Sequence, residues 1–365
     1  MKKSILCLVS DAYGSSGGIA KFSRDLITAI VAESPHCMVL LVPRHIRHPV
    51  QGLPPNVVHF ETAARGILAF SYCVIKASIC AHEGSLVICG HLNLSPFAKL
   101  AAYITRTPVW CVLHGIDAWR EPSRWITRRA VKAMDGFLIV SRVTGDRFRA
   151  WSGVSLDRCQ LLPNSVDLTI FCPAAKPQYL ISHYGLEGRC ALLTVGRMDS
   201  EIRKKGFDAV IDALPKIRQH LPNVVYLAGG DGPDRTRLES KVRRMGLHDF
   251  VRFTGFIPEA EKADHYRVAD VFVMPSEGEG FGIVFLEALA CGIPVVGSWR
   301  DGGRDALKDG RLGQLVDPRD PADIAEGVLR ALTIKRGFVS KELEDFAWPR
   351  FQERVREFLK IRCGI

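Results

Sequence analysis

The stretch SEGEGFGIVFLEALACGIPVVGS, from Ser276 to Ser298, sets two glutamates around an apolar segment that glycines interrupt. The apolar run before it, Val271–Pro275, predicts a strand. Ser276–Gly282 is then the loop at the carboxyl end of that strand, and Ile283–Cys291 predicts the following helix. A strand, a loop and a helix in this order form one βα unit, which is the repeating unit of parallel sheets.

The same alternation of short apolar runs and longer periodic segments extends through nearly the whole chain. It predicts an α/β protein with two Rossmann-like, doubly wound parallel-sheet domains, and a length of 365 residues agrees with two domains. The predicted strands are Ile5–Ser10, Met38–Pro43, Val57–Phe60, Leu86–Gly90, Val109–His114, Phe137–Ser141, Gln160–Pro163, Ala191–Gly196, Val224–Gly229, Val251–Gly255, Val271–Pro275, Pro294–Gly297 and Gln314–Asp317.

The domain boundary is placed by Phe171–Gln178, a segment rich in Pro and Ala without apolar periodicity. We therefore expect an N-terminal domain over residues 1–170 and a C-terminal domain over residues 171–345. A terminal helix over residues 346–365 is expected to pack back on the N-terminal domain, because the segment Trp348 to Cys363 is amphipathic. Its apolar face consists of Phe351, Val355, Phe358 and Leu359.

The lengths of the apolar runs and the pattern of cysteines indicate the cellular compartment of the protein. The first apolar run ends at Asp11, too early for an export signal, and the weakly polar stretch from Gly66 to Ala81 is shorter than the ~20 residues that span a bilayer. Eleven cysteines form no CxxC pair and lie mostly in apolar runs, which is typical of reduced thiols. We expect a cytoplasmic protein.

The net charge of +10 belongs mainly to the first half. Residues 1–170 contain 19 Lys and Arg against 11 Asp and Glu, whereas residues 171–365 contain 30 against 28. Such a surplus suits nucleic acid, an acidic substrate or an anionic membrane. A nucleic-acid partner is not expected, because no recognition motif accompanies the charge.

The loop after Val271–Pro275 has features of a ligand site. Its glycines allow close backbone approach, and the helix that begins after Gly282 offers N–H groups to an anion. Seven residues separate Glu279 from Glu287, about 10 Å along a helix, so the two carboxylates can hold opposite ends of one elongated ligand. The alternative is that Glu287 lies on a solvated helix face, although its neighbours are apolar.

Other chemistry-bearing residues stand at predicted carboxyl strand ends. Arg197 follows the strand Ala191–Gly196 directly and Lys205 lies in the next loop, where both suit phosphate oxygens unless they are ordinary surface charges. His114 ends its strand in VLHGIDAW, either as a ligand contact or as a structural histidine. Gly17 and Gly18 let a helix begin close to a ligand.

The spacing E-x7-E with these glycines resembles the retaining glycosyltransferases of GT-B architecture known as family 4. The segments VGRMDSEIRKKG, GGDGPDRTRLE, PNSVDLTIF and SDAYGSSGG are also similar to that family. The resemblance implies two Rossmann-like domains that face a central cleft. It implies transfer of a hexose from a nucleotide sugar to a saccharide or lipid-linked acceptor, with retention of anomeric configuration.

Residue roles follow from the resemblance alone. It assigns the donor diphosphate to Arg197 and Lys205, the donor sugar to Glu279 with His114 beside it, and the ribose to Glu287. The leaving diphosphate helps to accept the acceptor's proton. The remaining nucleotide-sugar contacts that it implies are Gly17, Gly18, Gly255, Phe256, Ile257, Gly280, Phe281, Gly282, Ile283 and Val284.

We expect no metal and no cofactor beyond the nucleotide-sugar donor. No strand-terminal DxD is present to bind a divalent ion, and Arg197 and Lys205 can neutralise the diphosphate instead. GDP-mannose and UDP-hexoses are the favoured donors.

The sequence departs from the family pattern at three places. Ser165 stands where glycine is usual, Arg304 and Asp305 replace a common Pro-Glu pair, and the run from Arg120 to Lys132 is unusually basic. That run either contacts anionic lipid headgroups, which would make the protein peripheral to the membrane, or forms a solvated helix face.

Rival functions remain open. A dinucleotide oxidoreductase is disfavoured, because Ser10–Gly18 lacks GxGxxG and no acid closes the second strand. A sugar-nucleotide epimerase, a phosphorylase of GT-B architecture, or a non-catalytic sugar-nucleotide-binding scaffold stay as alternatives. A requirement for an acceptor separates these from a transferase.

Overall fold

The fold is given by a computed structural model that describes residues 3–15, 17–81, 86–200 and 203–364. The chain forms two compact units. Unit 1 comprises Met1–Ser165 and Pro349–Ile365, and unit 2 comprises Val166–Trp348. The boundary thus lies at Ser165 and Val166, slightly ahead of the expected position at residue 170.

Every strand that the sequence predicts is present, with ends that differ by at most two residues. The bounds are β1 Ser4–Val9, β2 Met38–Pro43, β3 Val57–His59, β4 Leu86–Cys89, β5 Val109–Leu113, β6 Gly136–Ile139, β7 Cys159–Leu161, β8 Cys190–Val195, β9 Val224–Gly229, β10 Val251–Gly255, β11 Val271–Met274, β12 Val295–Ser298 and β13 Gln314–Val316.

Helices connect the strands as βα units require. Among the described residues, the α-helices are α1 Gly18–Glu33, α2 Ile67–Cys80, α3 Ser95–Thr105, α4 Trp125–Lys132, α5 Arg142–Ser152, α6 Gln178–Tyr184, α7 Phe207–His220, α8 Arg235–Arg244, α9 Lys262–Val268, α10 Ile283–Ala290, α11 Gly303–Ala306, α12 Pro321–Leu332 and α13 Trp348–Cys363.

Unit 1 contains a parallel sheet with strand order β3-β2-β1-β4-β5-β6-β7, and unit 2 contains one with order β10-β9-β8-β11-β12-β13. Both orders confirm the predicted doubly wound topology. The direction of winding reverses between β1 and β4 in unit 1 and between β8 and β11 in unit 2. Loops diverge at the carboxyl side of such a switch point, which is where ligands bind in open parallel sheets.

The terminal helix α13 belongs to unit 1 from Pro349 onward and packs on its core. The ring of Phe351 lies 5.9 Å from that of Phe22, and the ring of Phe358 lies 5.0 Å from that of Trp110, both edge to face. All four residues of the predicted apolar face are buried. The helix is therefore held by side chains that follow its amphipathic period.

Within the described part of the chain, no helix is both long and apolar enough to cross a membrane. The cysteines other than Cys363 are free thiols, and six of these ten are buried.

Candidate active site

Two of the predicted site residues lie in contact at the switch point of unit 2. Lys205 follows β8 and Glu279 follows β11, and these two strands are neighbours in the sheet. The Lys205 ammonium donates a hydrogen bond to a Glu279 carboxylate oxygen. Their side chains keep 34% and 16% of their surface exposed, so a ligand can reach the pair from solvent. A cation and an anion in contact at this edge can bind a phosphate and a hydroxyl group side by side.

The charge of Lys205 is stabilised by its neighbours. Burial disfavours the ammonium, but the negative charges of Glu279 and, more weakly, Asp301 outweigh this cost and raise the pKa of Lys205 above its usual value. Lys205 is therefore a permanent cation at neutral pH.

Asp301 is a site residue that sequence reasoning missed. It is fully buried, and one carboxylate oxygen accepts hydrogen bonds from the Ser276 hydroxyl at 2.7 Å and from the Glu279 backbone N–H at 2.8 Å. The other oxygen accepts from the Gly303 N–H at 3.0 Å. Burial raises the pKa of Asp301 to about 7, against the opposing effect of these hydrogen bonds. The only signal in the sequence was an acid directly before the glycine pair Gly302 and Gly303.

The loop backbone is packed too tightly for side chains. A Cβ added at Gly302 would lie 1.9 Å from the Gly280 carbonyl oxygen, and the Gly302 N–H donates to the Glu279 carbonyl at 2.8 Å. Phe281 is buried, with its ring 5.5 Å from that of Phe346. The loops after β11 and β12 are thus joined at their backbones.

The predicted helix terminus is present. Gly282 is the N-cap of α10 with φ of 92°, and no side chain among the described residues caps it. The N–H groups at Ile283 and Val284 therefore lie in the first turn, where helices carry partial positive charge and accept anions.

Glu287 lies elsewhere, on the buried side of α10. Its side chain is fully buried, with the Lys262 ammonium 2.9 Å from each carboxylate oxygen and the Tyr266 hydroxyl donating at 2.7 Å. The alternative that Glu287 lies on a solvated helix face is wrong. The two glutamates of the motif have different cationic partners, Lys205 for Glu279 and Lys262 for Glu287.

Arg197 stands two residues beyond the end of β8 and is exposed, with 65% of its side-chain surface accessible. Its guanidinium lies 3.8 Å from the Asp199 carboxylate and lines a surface depression together with Lys205. Arg203 instead pairs at 3.3 Å with Asp234, whose side chain is nearly buried. Arg197 is therefore the arginine of this loop that a ligand can reach most easily.

The predicted base-binding turn follows β10. Gly255 has φ of 74°, and Ile257 is buried. Between them, Phe256 leaves 68% of its surface exposed, which is unusual for phenylalanine and provides a flat apolar surface.

In unit 1, His114 follows β5, and its Nε2 lies 2.8 Å from the Gly90 carbonyl oxygen. Burial lowers the pKa of His114, although Asp117 acts in the opposite direction. The imidazole is therefore neutral at pH 7, and Nε2–H donates to Gly90. Gly17 is the N-cap of α1 with φ of 103°, an added Cβ there would meet no atom within 4 Å, and Gly18 begins that helix.

No group of three or more His, Cys, Asp or Glu side chains is arranged to hold a metal ion in the described part of the chain. Among the candidate residues of unit 2, Lys205, Arg197 and the α10 terminus can hold an anionic ligand.

Two family models match the chain. Residues 16–170 match "Glycosyltransferase Family 4", and residues 189–333 match "Glycosyl transferases group 1".

The curated proteins to which the chain is similar include mannosyltransferases. A GDP-mannose-dependent alpha-(1-6)-phosphatidylinositol monomannoside mannosyltransferase of Mycolicibacterium smegmatis is 34% identical over 66% of each chain. A phosphatidyl-myo-inositol mannosyltransferase of Mycobacterium tuberculosis is 38% identical over 65% of this chain and 60% of its own length. These matches thus span just under two thirds of the two relatives.

Solved structures share the fold along nearly the whole chain. Anabaena HepE in complex with UDP and glucose superposes with a TM-score of 0.75 at 20% identity, covering 98% of this chain and 99% of that one. The lipopolysaccharide outer core galactosyltransferase WaaB gives a TM-score of 0.71 at 18% identity, over 97% and 98% of the two chains.

Proposed function

Because the chain belongs to the family 4, group 1 glycosyltransferases and has the GT-B fold, we propose that it transfers a hexose from a nucleotide sugar to an acceptor hydroxyl, with retention of anomeric configuration. The observation that carries this proposal is the contact between Lys205 and Glu279 at the switch point of unit 2. In a glycosyl transfer, the cation can stabilise the leaving diphosphate while the carboxylate binds hydroxyl groups of the sugar.

The cation side of the site serves the leaving group. As the bond between the anomeric carbon and the donor phosphate breaks, negative charge grows on the diphosphate. Lys205, Arg197 and the first turn of α10 lie at the edge where that charge develops, and fixed positive groups stabilise it without reorganisation. The acceptor oxygen attacks from the same face, and its proton passes to an oxygen of the departing diphosphate.

The carboxylates serve the sugar hydroxyls. Glu279 binds hydroxyl groups of the donor sugar while Lys205 holds it in place. The family resemblance assigns the ribose to Glu287, which is fully buried against Lys262 and Tyr266, so ribose binding there requires these neighbours to move. Phe256 and the turn at Gly255 contact the base. His114, neutral and with Nε2–H donating to Gly90, presents its Nδ1 as an acceptor for a sugar hydroxyl.

For the donor we propose GDP-mannose before a UDP-hexose, since the mycobacterial relative named above is GDP-mannose-dependent. For the acceptor we propose a lipid-linked saccharide or a glycolipid, since both mycobacterial relatives act on phosphatidylinositol derivatives. The basic run from Arg120 to Lys132 then contacts an anionic membrane surface, which makes the protein peripheral at the cytoplasmic face.

The test is a thermal-shift panel of GDP-mannose, UDP-glucose, UDP-galactose and ADP-glucose without added metal. Ligands of the native state raise its melting temperature. One nucleotide should stabilise the wild type and the exposed-lysine control Lys216→Ala, but not Lys205→Ala. If no sugar nucleotide shifts folded wild-type protein, a phosphorylase, or a scaffold that has lost its donor site, replaces the transferase. If the donor sugar is epimerised in the absence of any acceptor, the epimerase reading replaces it.

A further inference from the structure

Unit 1 presents an unusual apolar surface on α2. Its residues Leu68, Tyr72, Ile75 and Ile79 follow the helical spacing i, i+4, i+7 and i+11 and are all exposed, Leu68 by 83% and Ile79 by 71%. The opposite side of α2 is also apolar and packs on the core. A helix that is apolar all round is normally buried all round, so the outer face of α2 lacks a cover among the described residues.

The neighbouring helices extend this surface. α3 packs beside α2 and α4 packs beside α3. Tyr103 of α3 is 83% exposed, and Trp125 of α4 is 66% exposed. We call the exposed residues of these three helices the α2–α4 face. Tyrosine and tryptophan are the side chains that favour the boundary between water and lipid.

The positive charge of the α2–α4 face indicates which kind of partner binds there. The three helices contain Lys76, Lys99, Arg128, Arg129 and Lys132 and no acidic residue. Glu121, ahead of α4, lies 3.6 Å from Arg128 and offsets part of that charge. Two copies of such a basic face repel each other, whereas an anionic bilayer attracts it.

We propose that the α2–α4 face docks on an anionic lipid bilayer, with α2 lying in the plane of the interface and its outer residues inserted among the lipid headgroups. At 14 residues α2 is about 21 Å long, which suits a helix lying on a membrane. This inference deepens the proposed function, because a lipid-linked acceptor would then lie at the docked surface. The sequence indicated only the basic run of α4 as a lipid contact, and the structure adds the apolar outer face of α2.

Vesicle flotation tests the proposal. Vesicles of phosphatidylcholine with phosphatidylglycerol should retain the protein at low salt, and vesicles of phosphatidylcholine alone should retain far less. Leu68→Ser should raise the dissociation constant for the vesicles by about tenfold. This factor corresponds to the free energy that a leucine side chain gains when it moves from water into an apolar environment. Arg129→Gln with Lys132→Gln should weaken it by a similar factor. The matched control is Leu156→Ser, a leucine that is 62% exposed outside the three helices.

The donor-induced thermal shift, measured without vesicles, should be the same in all of these variants, so a failure of docking is distinct from a failure of donor binding. Equal binding to both vesicle types, or no effect of Leu68→Ser, overturns the proposal. A concentration-dependent dimer that Leu68→Ser abolishes overturns it in favour of a second copy.

A second inference rests on Asp301 in unit 2. It accepts hydrogen bonds from three groups on two loops, and Gly302 next to it donates to the Glu279 carbonyl. The charged groups that face it are Glu279, on the loop after β11, and Lys205, on the loop after β8. All three partners of Asp301 are donors, and the two backbone N–H groups cannot reverse.

We infer that Asp301 is a positioning residue, which holds the loop of Glu279 in its donor-binding arrangement only while it is ionised. A protonated carboxyl group has a hydrogen of its own that points toward these donors. It therefore loses at least one of the three hydrogen bonds. Because burial raises the pKa of Asp301 to about 7, we expect donor affinity to decline as the pH falls through neutrality. This inference also rests on the proposed function.

The test is donor affinity as a function of pH. In the wild type, the dissociation constant of the best donor should rise severalfold between about pH 8 and about pH 6. Asp301→Asn should bind weakly at every pH and lack this step. Ser276→Ala removes a hydrogen bond that favours the carboxylate, so it should shift the step to higher pH. Binding by Asp301→Asn that equals the wild type, or a step that persists in it, overturns the inference; wild-type protein without donor binding overturns the function instead.

Discussion

Tyr266 donates a hydrogen bond of 2.7 Å to Glu287, and both side chains are fully buried. A buried carboxylate persists only where hydrogen bonds and an opposite charge compensate its lost hydration. Lys262 supplies the charge, and Tyr266 supplies a hydrogen bond. Burial and the adjacent Glu287 raise the pKa of Tyr266 well above its usual value, so the phenol remains a donor. Lys262 and Tyr266 therefore hold the Glu287 carboxylate in one orientation inside the protein.

We predict that Tyr266→Phe lowers the free energy of unfolding by about 2 kcal/mol, the usual value for a hydrogen bond to a charged group. Donor affinity should change little, because the carboxylate and Lys262 remain. Glu287→Gln should instead weaken donor binding markedly, since it removes the proposed ribose contact. Urea unfolding and donor titration of both variants check this. A loss of affinity in Tyr266→Phe as large as in Glu287→Gln would contradict the assignment.

A second prediction concerns Lys205. Lys205→Ala should lower kcat by roughly 100-fold or more, because it removes a fixed positive charge at the leaving diphosphate. Lys205→Arg should recover part of the activity, and the exposed-lysine control Lys216→Ala should match the wild type. Initial rates with saturating donor check this. Activity of Lys205→Ala within a few-fold of wild type would remove Lys205 from the reaction.

The inner strands were predictable because they are covered on both faces and so read as continuous apolar runs, as in β1, β4 and β5, which are buried throughout. β2, β9 and β10 have the predicted ends. The domain boundary was less accurate for a long-range reason. Val166 forms a bridge with Ala347 and its N–H donates to the Phe346 carbonyl, which attaches this segment to unit 2. The sequence near Phe171 carries no trace of that pairing.

Site residues were predictable where a strand end alone decides their place. Lys205 and Glu279 follow neighbouring strands, so the topology brings them together. The partners of Glu287 were not predictable, because Lys262 and Tyr266 come from α9, whose sequence is that of an ordinary amphipathic helix. Asp301 was overlooked for a similar reason, since its contacts with Ser276 and Glu279 depend on how two loops meet.

Gly302→Ala is a third test, directed at the contact between those loops. Its Cβ would lie 1.9 Å from the Gly280 carbonyl oxygen, so the backbone must shift. We expect a loss of about 1–3 kcal/mol in unfolding free energy, as for other overpacked sites, and weaker donor binding. Gly196→Ala is the control, because its added Cβ would meet Lys205 at an ordinary 3.7 Å. Equal stability of the two variants would show that the loops separate easily.

His114 makes a pH-dependent contribution to stability. Burial lowers its pKa below the usual 6.5, so the unfolded chain takes up a proton at a pH where the folded imidazole does not. Its stabilising contribution is complete above 6.5 and is lost as the pH falls through the lowered pKa. The unfolding free energy of the wild type should therefore approach that of His114→Gln as the pH falls from about 8 to about 5. A constant difference across this range would mean that His114 titrates normally.

Metal independence is the last prediction, and it follows from where positive charge already lies. Lys205 is held as a cation by Glu279, Arg197 is exposed beside it, and the first turn of α10 adds the helix dipole. These groups can offset the charge of a leaving diphosphate, a task that a divalent ion performs in other enzymes. Transfer rates should therefore be unchanged by EDTA and by added Mg²⁺ or Mn²⁺. In Lys205→Ala, added Mg²⁺ should restore little activity, because the described residues include no group of three or more His, Cys, Asp or Glu side chains that could hold that ion. Loss of wild-type activity in EDTA, with recovery on adding Mn²⁺, would show that these cations do not suffice and would reassign the neutralising role to a metal.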